Sequence, residues 1–211
     1  MPSDGTFAEE VLVPVENVFQ KPEHLSEEKA AALPLAGLTA WRSIFSRAKL
    51  KKGENVLITG IGGSTAIFAM QFAVAIGANV FVTSSSSEKI KKAIELGAKD
   101  GVLYTSPKWN QECAKMSSKG FDLIIDSAGG EGFRHLVRLM GMGGRLVFFG
   151  GTQGRWPSIS PQYLFFKQVS LFASTMGSIA EFQNMLDFIA EHQIKPIVDS
   201  IFALDDHAKA L

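Results

Sequence analysis

The residues best suited to chemistry form a glycine-rich turn between a predicted strand and a predicted helix. The apolar run at 56–59 suits a short strand buried on both faces, and glycines follow at 60, 62 and 63. Gly60 and Gly62 permit a tight turn and a close backbone approach, while the start of a helix favours phosphate. The pattern is close to the dinucleotide fingerprint, with Thr65 in place of its third glycine. A plain strand-to-helix connection would use the same glycines.

A second polar cluster follows the next predicted strand, about 20 residues beyond the glycine turn. Dinucleotide-binding proteins usually carry an acid here, which binds the ribose hydroxyls of the adenosine. This chain has instead Ser84, three further serines at 85–87, and Lys89. Hydroxyl donors and an ammonium would bind a 2′-phosphate that an aspartate would repel, so the cluster favours NADPH over NADH. The serines could equally form only a polar loop with a helix cap.

Two further strand ends carry residues that would face the same ligand. The run DSAGG at 126–130 ends the fourth predicted strand, and FGGT at 149–152 ends the fifth. Ligands of open α/β sheets lie outside the carboxyl ends of the strands, so Asp126, Gly150, Gly151 and Thr152 are candidate cofactor contacts. Asp126 would serve equally well as a cap for the next helix, and a turn needs the glycines just as much.

Strands and helices alternate in a way that can position these strand ends. Beyond 56–59 we predict strands at 79–83, 101–104, 121–126, 145–150 and 169–173, separated by helical patterns. This βαβα order predicts an α/β protein with a doubly wound parallel sheet. We also expect short strands or an edge segment within 7–19, a strand at 197–202 and a helix at 205–211. The run GMGG at 141–144 precedes a strand, which favours a turn.

Composition narrows the functional class. The 211 residues hold 21 Lys plus Arg and 21 Asp plus Glu, so no net charge attracts nucleic acid or an acidic membrane. No run approaches the roughly 20 apolar residues that span a bilayer, and no signal-peptide pattern is visible. The single cysteine excludes an internal disulfide and favours a reducing, cytoplasmic location. The four histidines show no metal-ligand spacing, so we predict no metal site.

Several motifs, in consistent order and spacing, carry a family resemblance. They are GTFAEE at 5–10, AALPLAGLTAW at 31–41, DSAGG at 126–130, GGRLV at 143–147 and STMGS at 174–178. Together with the glycine turn, they resemble the cofactor-binding part of medium-chain dehydrogenases/reductases of the quinone-reductase and zinc-type alcohol dehydrogenase-like kind. The resemblance covers nearly the whole chain and implies a Rossmann domain at 26–200. It further implies that 1–25 ends a GroES-like substrate-side domain, to which 201–211 begins to return.

The resemblance also implies an activity, which is hydride transfer between NADP(H) and a small carbonyl, quinone, enone or alcohol. The implied cofactor contacts are Gly62, Gly63, Ser64 and Thr65 at the pyrophosphate, Ser84, Ser86 and Lys89 at the 2′-phosphate, and Gly150, Gly151, Thr152, Met176 and Gly177 at the nicotinamide. Gly60, in the turn itself, is a further candidate cofactor contact. Family members often form homodimers through the strand equivalent to 169–173. The barrel that normally precedes Gly5 is missing, so we expect a piece of a longer polypeptide and assign no catalytic residue. A non-catalytic nucleotide-binding or interaction module is the alternative.

Overall fold

Parallel strands form one sheet in the computed structural model, which describes residues 5, 6 and 8–210. The strands are β1 (Asn55–Ile58), β2 (Asn79–Ser84), β3 (Asp100–Leu103), β4 (Phe121–Asp126), β5 (Met140–Phe148) and β6 (Ser170–Ala173). Their order in the sheet is β3-β2-β1-β4-β5-β6, and every neighbouring pair is parallel. The predicted doubly wound parallel sheet is therefore confirmed, and its strand order reverses between β1 and β4.

Helices cover both faces of this sheet. The helices of the described residues are α1 (Glu27–Ala31), α2 (Pro34–Trp41), α3 (Ser64–Ala75), α4 (Ser87–Glu95), α5 (Trp109–Met116), α6 (Phe133–Leu139), α7 (Gln162–Phe165), α8 (Ile179–Glu191) and α9 (His207–Ala210). A π-helical segment, Arg42–Arg47, continues α2, and the N–H of Ala48 accordingly donates to the carbonyl of Ser43, five residues back (3.1 Å).

The core lies in two layers because alternate residues of a strand point to opposite faces. Val56 and Ile58 of β1 belong to the layer under α2, α3 and α8, whereas Leu57 between them belongs to the layer under α5 and α6. Cys113 lies fully buried in the second layer. Burial raises the pKa of its thiol to about 12, with smaller contributions from Glu112 and Asp100.

An aromatic cluster fixes α8 against the start of the domain. The ring of Phe188 on α8 lies 5.4 Å from Trp41 and 5.3 Å from Phe45, which belong to α2 and the π-helical segment. It also meets Phe72 of α3 edge-on at 5.8 Å. Edge-to-face aromatic contacts of this kind add to the free energy of burial. The position of α8 is therefore defined by the same elements that cover the sheet.

Two of the expected strands do not form in the described residues. Residues 8–19 contain only a short 3-10 turn, Val15–Asn17, and residue 7 lies outside the described part of the chain. Residues 197–202 pair with no strand, and Ile201 is 70% exposed. β-Branched residues form a strand only where a partner edge and a packing surface exist, and neither segment adds to the sheet.

Two boundaries also differ from expectation. The helix expected at 205–211 is a 3-10 turn, Leu204–Asp206, followed by α9, and residue 211 lies outside the described residues. The GMGG run is not a turn ahead of the strand but lies within β5, where the pairing jumps from Phe121 with Met140 to Leu123 with Arg145. The extra residues bulge from the ladder, and Gly143 at φ +66° provides the backbone freedom for it.

Candidate functional site

The glycine turn leaves the start of α3 open to a ligand. Gly60 adopts φ +65°, and its N–H donates to the Thr83 hydroxyl (3.3 Å) while that of Ile61 donates to the Thr83 carbonyl (2.9 Å). These bonds fasten the turn to the end of β2. In the described part of the chain, no side chain caps α3 at Gly63, and its first turn holds no acid. The first N–H groups of α3 therefore remain available to an anion, with the helix dipole in its favour.

Lys89 joins the glycine turn from the neighbouring helix. A Cβ atom added at Gly62 would lie only 2.8 Å from Lys89 Nζ, so the ammonium lies directly over the turn. The lysine is exposed and forms no ion pair within the described residues. The Lys89 ammonium and the backbone at Gly62, which are 27 positions apart in the sequence, thus lie next to each other. Both favour the binding of a phosphate.

Two of the serines that precede Lys89 form hydrogen bonds with the nearby backbone. Ser84 is 3% exposed and its hydroxyl accepts from the N–H of Ser86 (3.2 Å). The Ser86 hydroxyl in turn accepts from the N–H of Lys89 (3.4 Å) and caps α4. The helix-cap interpretation therefore holds for Ser86. The predicted role of Ser84 and Ser86 at a 2′-phosphate stays a prediction.

Asp126 lies at the point where the strand order reverses. It is 2% exposed, and one carboxylate oxygen accepts from the Thr59 hydroxyl (2.6 Å) while the other accepts from the N–H of Gly129 (2.9 Å). It does not cap the next helix, because α6 begins after Gly132. The alternative interpretation of Asp126 as a helix cap is therefore wrong. Asp126 instead ties the end of β1 to the loop after β4.

The loop after β5 is closely bonded to the loop after β4. A Cβ atom at Gly150 would lie 2.8 Å from the Ser127 carbonyl oxygen, so only glycine fits there without a backbone shift. The N–H of Thr152 donates to Ser127 (3.4 Å), and that of Gln153 donates to Ala128 (2.8 Å). The two loops therefore form one continuous wall at the carboxyl edge of the sheet.

A cleft of about 560 Å³ opens at this edge, across the ends of β1 to β4. It is lined by Thr59, Gly60, Thr83, Tyr104, Trp109, Asp126, Ser127, Ala128, Gly129, Glu131, Gly132, Leu136, Thr152 and Gln153. It thus brings together three of the predicted residues, Gly60, Asp126 and Thr152. The other predicted residues lie outside its lining, either along the glycine turn and the start of α4 or farther along the same edge at the ends of β5 and β6.

Sequence reasoning missed the aromatic wall of this cleft. Tyr104 follows β3 directly, and Trp109 begins α5. Trp109 packs edge-on against His135 at 5.7 Å, and burial, followed by Arg134 and Arg138, lowers the pKa of that histidine. In the sequence, only their position after the third strand, at the edge where ligands bind, indicates that these two aromatic residues belong to the site.

The loop at 174–177 occupies the far end of this edge. Met176 has φ +44°, and a Cβ atom at Gly177 would lie 2.5 Å from Leu38 Cδ1, so the loop lies directly on α2. Ser178 then caps α8 in a reciprocal capping box with Glu181. The two residues predicted at the nicotinamide are thus held between β6, α2 and α8.

The described residues lack two other kinds of feature. No three or more His, Cys, Asp or Glu side chains among them are grouped so as to hold a metal ion. No helix in that part of the chain has the length and apolar character to cross a membrane.

Comparison with known proteins agrees with this architecture. The sequence profile of a family described as zinc-binding dehydrogenase matches residues 64–191. The chain is 40% identical over 186 residues to the zinc-type alcohol dehydrogenase-like protein YogA of Leptosphaeria maculans, covering 84% of this chain and 51% of that protein. It is 29% identical over 217 residues to quinone oxidoreductase-like protein 2 of Bos taurus, covering 98% of this chain and 62% of that protein.

A solved structure described as an NAD-dependent alcohol dehydrogenase superposes with a TM-score of 0.86 at 34% identity. The match covers 92% of this chain and 57% of the other. The chain therefore spans between about half and two thirds of the length of the proteins that it matches.

Proposed function

Because the chain belongs to the zinc-binding dehydrogenase family, as the cofactor-binding part of a medium-chain dehydrogenase/reductase, we propose that it binds NADP(H) for an oxidoreductase. The substrate of the whole enzyme would be a small carbonyl, quinone, enone or alcohol. The named relatives are described as alcohol dehydrogenase-like and quinone oxidoreductase-like proteins, which supports this substrate range. No residue of this chain is proposed as catalytic.

The residues at the edge of the sheet fit a dinucleotide. The glycine turn and the uncapped start of α3 offer N–H donors for a pyrophosphate. The hydrogen bond from the Thr59 hydroxyl to Asp126 attaches the turn to β4. The cleft runs across the point of strand-order reversal, where doubly wound folds bind such ligands. An adenosine half would then lie toward β2, and a nicotinamide half toward β5 and β6.

The position of Lys89 carries the proposal that the cofactor is NADP(H). Its ammonium lies over the glycine turn, and the strand end before it bears serine in place of an acid. A similar solved structure is described as NAD-dependent, so the preference rests on these residues of the chain itself. A point charge with no competing ion pair in the described residues suits a 2′-phosphate.

In the reaction, bound NADP(H) would supply or accept the hydride. The chain's own residues would bind and orient it. The start of α3 would bind the pyrophosphate and Lys89 the 2′-phosphate, and the loops after β4 and β5 would form the wall beside the nicotinamide. Gly150 would allow the backbone of that wall to approach the ring closely.

We also propose that the outer edge of β6 pairs with a second copy. β6 ends the sheet, so one side of its backbone has no strand partner among the described residues. An unpaired edge of this kind is a template for association. The homodimer through 169–173 is thus consistent with the sheet order.

The test is calorimetric titration of the chain and of Lys89→Gln with NADPH and NADH in parallel. We expect Lys89→Gln to weaken NADPH by about tenfold, the scale of one charge-assisted hydrogen bond, and to leave NADH within about twofold. Lys91→Gln is the matched control, because Lys91 is an exposed lysine on the same helix. Failure of the chain to bind either cofactor would overturn the proposal, and tighter binding of NADH would overturn the preference for NADP(H).

A further inference from the structure

Met176 has an unusual backbone conformation for its place in the fold. Four described residues other than glycine have positive φ: Lys49, Gln168, Gln193 and Met176. The first three each follow the end of a helix, where a left-handed residue is common. Met176 at φ +44° instead lies between β6 and α8. An isolated outlier of this kind costs free energy and persists only where the surroundings impose it.

One carboxylate fixes the residue that follows this loop, at the start of α8. Glu181 Oε2 accepts from the N–H of Ser178 (2.7 Å), and the Ser178 hydroxyl accepts from the N–H of Glu181 (3.2 Å). This capping box fixes the residue that directly follows Gly177. The exit of the loop at 174–177 is therefore determined by the position of Glu181.

The same carboxylate is bonded to the π-helical segment. Arg42 Nη1 donates to Glu181 Oε2 (2.6 Å), and the Ser46 hydroxyl donates to Glu181 Oε1. The Glu181 side chain is 14% exposed and that of Arg42 is 33% exposed, so the ion pair is partly shielded from water. Burial alone would raise the pKa of Glu181, but the hydrogen bonds from Ser46, Ser178 and Arg42 together lower it. Its carboxylate is thus bound by donors from two elements and stays charged.

The loop at 174–177 also has no room to move toward α2. The Cβ of any other residue at 177 would overlap Leu38. The contact of Gly177 with α2 and the bond from Ser178 to Glu181 thus restrain the loop at its carboxyl end.

We propose that Glu181 is a positioning residue that holds the loop at 174–177 as a fixed wall for the nicotinamide half of the cofactor. The inference rests on the proposed function, which orients that half toward β5 and β6. Glu181 does not touch the cofactor in this arrangement. It acts through Ser178, and through the ion pair that joins α8 to the π-helical segment.

The experiment compares two ligands on the same variants. NADPH has both halves of the cofactor, whereas 2′,5′-ADP has only the adenosine half with its phosphates. Calorimetry of Glu181→Gln should show NADPH weakened by about threefold to tenfold, the scale of one hydrogen bond to a charged group, and 2′,5′-ADP unchanged within about twofold. The emission of bound NADPH should also shift, because the nicotinamide environment is less defined.

A matched control exists on the opposite edge of the sheet. Glu54 pairs with Arg145 at 2.7 Å, and the side chains are 22% and 18% exposed. It precedes β1 and lies at the amino end of the sheet, away from the cleft. We expect Glu54→Gln to lower the melting temperature as much as Glu181→Gln while leaving the affinities for both ligands unchanged.

Three outcomes would overturn the inference. Equal weakening of NADPH and 2′,5′-ADP by Glu181→Gln would show a role in stability alone, and unchanged affinity for both would show no role. If the wild-type chain binds 2′,5′-ADP but not NADPH, no wall for the nicotinamide exists, whereas binding of neither ligand would refute the proposed function itself. Ser46→Ala removes one donor and keeps the carboxylate, so it repeats the test if Glu181→Gln does not fold.

Discussion

The polar groups at the carboxyl edge are bonded differently in the two halves of the sheet. On the β1–β2 side, the start of α3 has no side-chain cap and Lys89 forms no ion pair, within the residues that the structure describes. On the β4–β6 side, both oxygens of Asp126 and both of Glu181 are bonded within the chain. The first half keeps hydrogen-bond donors open for a ligand, whereas the carboxylates of the second half accept bonds that hold its own loops.

This difference indicates how a two-part ligand could be recognised. Open donors give affinity for phosphates, whereas bonded loops give a surface of fixed shape. A mutation on the first side should therefore change binding more than stability, and one on the second side should change stability as well as binding. The following predictions test that contrast.

The largest expected effect compares two glycines, one from each side. At Gly130, φ is +59° and an added Cβ would lie 2.7 Å from Gln153 Cβ and 2.9 Å from its carbonyl oxygen, so Gly130→Ala should lower the free energy of unfolding by about 2–4 kcal/mol. Gly60 has φ +65° but no atom within 4 Å of the added Cβ, so Gly60→Ala should cost only about 1 kcal/mol. Urea unfolding measures both. Equal losses would show that the loops after β4 and β5 are not closely bonded.

A smaller effect is expected at Gly62, on the open side. Gly62→Ala should displace the Lys89 side chain, since the new Cβ would meet its Nζ at 2.8 Å and its Cδ at 3.0 Å. The side chain is flexible, so the unfolding free energy should change by less than about 0.5 kcal/mol, while NADPH binding weakens by about threefold.

A double-mutant cycle shows whether Gly62 acts through Lys89. In the Lys89→Gln background, Gly62→Ala should have no further effect on NADPH affinity, because the displaced ammonium is already gone. Full additivity of the two changes would mean that the alanine obstructs the ligand directly.

The smallest expected effect is the pH dependence of the Glu181 contribution. Its pKa is lowered in the folded chain from the ordinary 4.5, so its stabilisation is complete above that value and is lost as the pH falls through the folded-state pKa. The unfolding free energies of the wild type and Glu181→Gln should differ by less than about 1 kcal/mol at pH 7, because Arg42 is one-third exposed. Denaturant unfolding from pH 7 to pH 3 should show the two curves converge below pH 4.5. A difference that is independent of pH would contradict a role for the carboxylate charge.

The sheet could be predicted because its strands are buried on both faces. Runs such as 56–59 and 121–126 are mainly apolar, and a glycine follows the first while an acid ends the second, which indicates buried strands. The segments 7–19 and 197–202 have similar residues, but strand formation there depends on a partner that local sequence does not specify. The bulge at 141–144 depends likewise on how β5 meets β4.

Site residues could be predicted where their role depends on their position along a strand. They were missed where the role depends on contacts between residues that are distant in the sequence. The glycine turn follows the end of β1, and Asp126 is the last residue of β4. The approach of Lys89 to Gly62, the bonding of the β4 and β5 loops, and the link from Glu181 to Arg42 join residues 25 to 139 positions apart. The periodicity of the sequence does not predict such contacts.

The buried Cys113 has a consequence for tolerance to reactive substrates. Quinones and enones are electrophiles that alkylate thiolates, and the thiolate is the reactive form of cysteine. At a pKa of about 12 and with no exposed surface, the only thiol of this chain stays protonated and out of reach near neutral pH. In a chain with the proposed function, this thiol would therefore resist alkylation by such electrophiles.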